Sequence, residues 1–440
     1  MLGSLLSGRF SPRSVRTEHA VLLSAVFFAA LAVLIHHRYL FWDFCAYKLS
    51  GEYLLGVSGR YFEVFRPPLT PVLLAALGTT GYFVLAEILL AIAAVLFSKR
   101  HSLDPLIFYF LVQAPAVAVF SVTEGSEVLA LAFGLLALAF CDSPLAGAFL
   151  GLAFLTRYSM GVYALPLLYL AWHHYRLRPR LFVHQILAFL LVVAPWFAYN
   201  YANFGNPFAS VLDFAFLNGP ARSHLWHWPS ISFIFALLPT LLLAVPTSRK
   251  QGVWWIFAVV ILAIYIVTPF RALRYIVPAV PLLAVPAAEN VRRSGARRPL
   301  AIFIVVVSIL GALVIAGNVT GIDPHPFVSA AYSLGNCTAV SNAWVPLACV
   351  GAHAVPLISP EDMNSHALVL FPGYPLPPWY SGDPYAVVAY PGQEYNIFVP
   401  LQCAEDENYV GTYLDTYNRI TGRQFTYWDV LLCILRLRSC

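Results

Sequence analysis

The sequence predicts an all-α polytopic membrane protein with a small α/β or β-rich extracytoplasmic domain at its C-terminal end, and three observations carry this. Of the 440 residues, 60% are hydrophobic and only 11% are charged, too few charges to cover a soluble surface. Apolar runs of about 14–22 residues recur between positions 19 and 318, and a helix needs about 20 residues to cross the roughly 30 Å hydrocarbon core. Lys and Arg gather in every second gap between these runs, the pattern expected of loops that stay on the cytoplasmic side. A β-barrel is disfavoured because stretches such as 253–267 are apolar on every face instead of alternating.

Taken in order, the apolar runs predict roughly eleven crossings. These fall near 20–40, 81–98, 105–122, 127–141, 143–156, 159–174, 183–200, 229–247, 252–268, 275–289 and 300–317. Arg9, Arg13 and Arg16 precede the first; Lys99 and Arg100 follow the second; Arg176, Arg178 and Arg180 follow the sixth. Arg249 and Lys250 follow the eighth, and Arg292, Arg293, Arg297 and Arg298 follow the tenth, so these places hold 14 of the 26 basic residues. The resulting map has a cytoplasmic segment 1–19, a transmembrane domain 20–317 with a long outer loop at 41–80, and an extracytoplasmic domain 318–440. No cleavable signal-peptide pattern is recognised at the start, so the first run is expected to remain as a helix.

Ten of the 21 acidic residues lie after 318, as do Cys337, Cys349, Cys403, Cys433 and Cys440, whereas Cys45 and Cys141 lie in the membrane part. With no CxxC to suggest a zinc ribbon, one or two disulfides of unassigned pairing are expected in an oxidising compartment. Strand-like runs at 337–340, 367–371, 385–389 and 396–399, separated by Pro, Gly and Asn turns, predict the outer domain's sheet. A terminal helix is expected near 427–435. The net charge of +5 reflects topology-setting loops and does not imply nucleic acid.

Candidate site residues all fall on the predicted outer face. Asp43 follows the first crossing directly, between Trp42 and Phe44, where an acid at headgroup depth is costly unless used or paired; Lys48 offers it a plain ion-pair partner. Glu124 and Glu127 sit in the short loop VTEGSE, where helix capping is the plainer role. Arg157 and Tyr158 interrupt FLTRYSMGVYALP, and Arg271, Arg274 and Tyr275 lie in PFRALRYIVP, where snorkelling to the interface is the ordinary alternative. With Arg66, these residues supply guanidinium forks for a phosphate beside a carboxylate able to take a proton from a hydroxyl. The segment PPLTPVLLAALG reads either as an interfacial helix that guides a lipid chain or as an ordinary helix entering the bundle.

The pieces WDFCAYKL, FRPPLTPVLLA, GSEVLALAFGLLAL, GLAFLTRYSMGVYALPLLYLAW, APWFAYNYANFGNPF and LRYIVPAVPLLA resemble, in this order, the GT-C superfamily of polyprenyl-phosphate-sugar glycosyltransferases. That group includes the protein O-mannosyltransferases and the lipid A aminoarabinose transferases. The likeness spans the predicted crossings 1 to 10 and none of the outer domain. It implies an inverting transfer of a hexosyl or pentosyl group from a polyprenyl (dolichyl-type) phosphate carrier to an acceptor hydroxyl on the extracytoplasmic face. By resemblance Asp43 is the general base, although Phe44 stands where many members carry Glu. Arg66, before Pro67 and Pro68, contacts the lipid phosphate, and Glu127 is the second-loop acid, with Glu124 as competitor. Arg274 lies near the donor phosphate; Arg157, Arg271 and Tyr275 are further binding candidates.

The implied partners are the lipid-linked donor, a lipid, glycan or protein acceptor, and membrane lipids. No cofactor is indicated, no zinc spacing occurs among the histidines, and a divalent metal is left open. The competing class is a secondary transporter or lipid flippase, whose folds typically show two matching halves and charges at the bilayer midplane; here no repeat is evident, and the interiors of the second, fourth, ninth and eleventh runs are nearly uncharged apart from Glu87.

Overall fold

A computed structural model describes residues 12–59, 61–113, 115–123, 125–175, 179–218, 240–267, 273–318, 321–356, 366–374, 395–398 and 409–434. Four described helices are long and apolar enough to cross a membrane: Thr17–His36, Leu69–His101, Pro179–Phe204 and Arg297–Val314. A fifth forms if Pro105–Val112 and Val117–Thr123, bent by 72°, count as one span. Large side chains such as Leu23, Leu191 and Ile302, 72%, 77% and 64% exposed, point outward from these helices, as a lipid-facing surface requires. The protein is a multi-pass membrane protein.

The chain begins with α1 (Pro12–His36), turns, and enters α2 (Trp42–Leu54). A short strand β1 (Tyr61–Glu63) leads to α3 (Leu69–Arg100), whose part after Gly78, at a rise of 1.5 Å per residue, is about 33 Å long, enough to cross the hydrocarbon core. Gly78, at φ 67°, kinks α3 in a left-handed conformation that only glycine adopts cheaply, so the segment before it leaves the axis of the rest. The α3 helix packs on α1 and α2 and most extensively on α6 (Ser126–Ala139).

The predicted map needs several corrections. Its first helix stops at His36 and not at 40, and α2 occupies what was expected to be irregular outer loop. The second crossing is preceded by a helical segment from Leu69, set off from it at Gly78, and Pro67 and Pro68 end the preceding turn and suit that helix start. The third is split into α4 (Pro105–Val112) and α5 (Pro115–Thr123), where Pro115 has no amide to donate. Asp104 caps α4, its Oδ1 accepting from the amides of Leu106 at 3.1 Å and Ile107 at 3.3 Å. After α7 (Leu145–Thr156), the sixth helix opens as a 3₁₀ segment, Tyr158–Tyr163, before α8 (Ala164–Tyr175). Next come α9 (Pro179–Phe204), α10 (Ala209–Asn218) and α11 (Arg249–Val267); most of the helix expected at 229–247 lies outside the described residues. The tenth helix also opens as 3₁₀, Leu273–Ala279, with Pro278 inside it, before α12 (Val280–Arg293) and α13 (Arg297–Asn318).

Beyond α13, a compact unit begins with α14 (His325–Leu334), β2 (Ala339–Ser341), α15 (Trp344–Cys349), β3 (Ala354–Pro356) and β4 (Ala367–Leu370). It continues through β5 (Asn396–Phe398), β6 (Tyr409–Gly411), α16 (Tyr413–Thr421) and α17 (Tyr427–Ile434). Four strands form a sheet in the order β3-β2-β4-β5, with β2 parallel to both neighbours and β5 antiparallel to β4. All four residues of β4 are buried, as expected of a strand covered on both faces. The run expected at 385–389 is outside the described residues, and β3 was not foreseen, because Ala354–Pro356 is too short to show alternation.

Three links tie this unit to the segment after α1. Leu40 and Ile322 exchange amide bonds of 2.9 and 2.8 Å; Cys45 and Cys349 form a disulfide; and β1 pairs parallel with β6, Tyr61 opposite Tyr409. Ion pairs mark the opposite end of the bundle, joining Lys99 to Glu18, Arg100 to Asp142 and Arg297 to Asp104.

Candidate active site

Asp43 stands in the first turn of α2, and its position is secured from three directions. The Leu40–Ile322 bridge holds the chain entering the helix. The Cys45–Cys349 disulfide, Cα to Cα 5.5 Å, clamps the next turn. Further along, Gly51 lies so close to α3 that a Cβ there would meet the Pro71 carbonyl oxygen at 2.0 Å, so no other residue permits this approach. Trp42 packs edge-on against Trp344 at 5.0 Å, adding an aromatic contact to the same joint.

Both carboxylate oxygens of Asp43 are engaged by arginines. Arg66 Nη2 donates to Oδ1 at 3.0 Å, and Arg274 Nη1 donates to Oδ2 at 2.5 Å. Arg66 in turn donates through Nε to Glu63, three residues earlier. The result is an alternating chain, Glu63–Arg66–Asp43–Arg274, with Asp43 only 19% exposed. Burial alone would raise the Asp43 carboxyl, but the Arg274 and Arg66 guanidinium groups outweigh it and hold the group well below the usual carboxylate range. Burial likewise opposes the charge on Arg66, and the Glu63 and Asp43 carboxylates keep it firmly protonated. Removing one member of such a buried set costs about 3–5 kcal/mol, because the partner's charge is left uncompensated.

Tyr47, one turn beyond Asp43, faces the same way and supplies its ring to the Arg66 guanidinium, 4.9 Å from centroid to Cζ. Burial raises the pKa of its phenol, and charges act on it from both sides: Arg66 and Asp43 on one, Arg157 and Glu127 on the other. That second pair is fully inside the protein. Arg157 bonds to Glu127 and, at 3.1 Å, to Ser126 Oγ, which donates to Glu127 at 2.8 Å. Glu127 therefore does not present an open carboxylate, and Ser126 serves this cluster and not a helix cap.

Of the residues singled out from the sequence, Asp43, Arg66 and Arg274 meet directly, while Glu127 and Arg157 meet each other. Tyr275 turns elsewhere and donates to Asn218 Oδ1 at 2.5 Å. Glu124 and Arg271 lie outside the described residues. Asp43 pairs with the two arginines and not with Lys48, which lines a cleft of about 630 Å³ against Val350 and His353. Sequence reasoning placed Glu63 on the outer face without giving it a role, and it missed Tyr47. Their signals were the i,i+3 spacing of Glu63 to Arg66 and the i,i+4 spacing of Tyr47 to Asp43. Among the described residues, no group of three or more His, Cys, Asp or Glu is placed to hold a metal ion.

No protein-family model and no curated protein sequence matches the chain. Among solved structures, the apo state of ArnT from Cupriavidus metallidurans is similar, with a TM-score of 0.57 and 14% identity over 79% of this chain and 92% of that one. A structure of ArnT from the same organism bound to undecaprenyl phosphate aligns with a TM-score of 0.49 and 18% identity, over 74% of this chain and 69% of that one. The likeness to the apo structure is one of fold.

Proposed function

We propose that this protein is an integral membrane glycosyltransferase that moves a sugar from a polyprenyl (dolichyl-type) phosphate to an acceptor hydroxyl on the extracytoplasmic face, with inversion. The observation that carries this reading is the clamp of Arg66 and Arg274 around Asp43. Two guanidinium groups brought from distant parts of the chain to one anionic centre form a natural phosphate site. In this arrangement the Asp43 carboxylate occupies the space that a donor phosphate takes. ArnT, whose apo fold the chain shares, has also been crystallised with undecaprenyl phosphate, a ligand whose headgroup has this chemistry.

The same clamp suggests how the base is switched on. A carboxylate held by two arginines is a poor proton acceptor. A phosphate that engages Arg66 and Arg274 shares their charge, and the proton affinity of Asp43 rises as the reactants assemble. The acceptor oxygen then bonds to the anomeric carbon while the bond from that carbon to the phosphate oxygen breaks. The electron pair leaves onto the phosphate, where the arginines stabilise it, and the hydroxyl proton passes to Asp43. Glu63 positions Arg66, and the buried Glu127–Arg157 pair supports the floor behind Tyr47, a positioning role in place of direct chemistry.

The extracytoplasmic assignment rests on redox chemistry as well as basic loops. The Cys45–Cys349 disulfide lies beside Asp43, where an oxidising compartment is needed. Cys141, which is not oxidised, lies next to the Arg100–Asp142 pair at the other end. The flippase reading draws on one feature, the buried Glu87–Gln113–Ser121 hydrogen-bond chain inside the bundle. Purified protein incubated with polyprenyl-phosphate sugars separates the two readings. Transfer, lowered about 10²–10⁴-fold in Asp43→Asn, supports the enzyme; undiminished turnover in that variant removes Asp43 from catalysis.

A further inference from the structure

A second charged cavity lies at the other end of the bundle. Its volume is about 300 Å³, and its walls include Arg100, His101, Lys250, Trp254, Glu289 and Arg292. Arg100 is the last residue of α3, whose beginning adjoins Arg66, so the length of α3 separates this cavity from the Asp43 centre. It has no part in the chemistry proposed above.

Three cationic side chains face this cavity against one carboxylate, and the arginines are fixed in place. Arg100 Nη1 donates to the Ala139 carbonyl and to Asp142 Oδ1, both at 2.9 Å. Arg292 Nη1 donates to the Ser102 carbonyl at 2.6 Å. Glu289, the lining carboxylate, is drawn toward Arg293, its closer partner, while Arg292 stands 3.9 Å away. Lys250 completes the rim. Positive charge therefore converges from α3, α11 and α12 on one concave space.

The remaining walls are largely apolar. Trp254 is nearly buried and meets His101 edge-on at 5.4 Å, and Leu103, Leu170 and Val285 complete the lining. An indole beside cations at the end of a helix bundle is the arrangement that meets a lipid headgroup, where the phosphate takes the cations and the glycerol region takes the apolar wall.

We propose that this cavity binds a phosphate-bearing anion, the headgroup of an acidic membrane phospholipid, at the end of the bundle opposite the transfer site. Removing one lining cation weakens binding about fivefold. The test follows the thermal midpoint of the full-length protein in zwitterionic detergent while phosphatidic acid or inorganic phosphate is added. Phosphatidic acid raises the midpoint of the parent protein. Half-saturation needs more lipid in Lys250→Gln and Arg292→Gln, less in Glu289→Gln, and the same amount in Arg298→Gln, which removes an exposed cation outside the cavity. If inorganic phosphate reproduces the shift with the same variant pattern, the anion site stands and its ligand is soluble. Equal responses in all four variants, or none in the parent protein to either anion, overturn the site. Lys250 is a surface residue, so its variant folds and the test is not lost to instability.

Discussion

Asp43 and Arg274 lie 231 positions apart in the chain and are joined by a 2.5 Å hydrogen bond. One belongs to the first turn of a helix outside the bundle, the other to a 3₁₀ segment leading back into it. This bond closes one end of the bundle across the proposed transfer site, and several expectations depend on it.

If the carboxylate stands where the donor phosphate binds, removing its charge improves phosphate binding even as it removes catalysis. Asp43→Asn is expected to bind an undecaprenyl or dolichyl phosphate analogue about five- to tenfold more tightly, on the order of 1 kcal/mol. Calorimetric titration of purified protein measures this. Unchanged or weaker binding would mean that phosphate and carboxylate do not compete.

Arg274→Gln removes the stronger of the two influences that hold the Asp43 carboxyl low. Its pKa must then rise toward the ordinary value near 3.9, so the acid limb of the kcat/KM profile moves to higher pH, while the alkaline limb stays in place. A profile that only drops in height, with no displacement, assigns Arg274 to phosphate binding alone.

Reduction of the Cys45–Cys349 bond releases α2 from the outer unit. A loss of about 2–4 kcal/mol is expected for that unit, visible as a lower midpoint in thermal melts with dithiothreitol. Cys45→Ser should reproduce it and also raise KM, because the same helix carries Asp43.

Asp213 in α10 is buried, and its two oxygens accept from the amides of Tyr413 and Leu414, each at 2.7 Å, at the start of α16. Burial pushes the carboxyl up to about 7, against the pull of those amides. A raised folded-state pKa gives stability that is complete below the unfolded value near 3.9 and is lost as pH rises through about 7. Limited proteolysis of the C-terminal unit should therefore accelerate between roughly pH 4 and 7. Asp213→Asn should flatten that dependence.

How much of this was legible beforehand differs by residue. Asp43 and Arg66 stood out because a charge next to a span end, or before two prolines, is costly without a purpose. Glu63 was hidden because its worth depends on a guanidinium that folding delivers, and a Glu in an outer loop is otherwise unremarked. The kink at Gly78 and the break before Pro115 were visible as residues but not as angles, since the bend depends on what packs against each half.

The amino-acid sequence by itself determined that this chain lives in lipid, because hydropathy and the spacing of basic residues are local properties that the bilayer reads segment by segment. It also supplied the acids and arginines of the candidate site. Only the tertiary structure decided which of them meet: Asp43 with Arg66 and Arg274, Glu127 with Arg157, and Cys45 with Cys349. Those pairings depend on contacts between residues far apart in the chain, for which local pattern holds no signal. They form because a buried charge must find its counter-charge wherever the packed helices leave one.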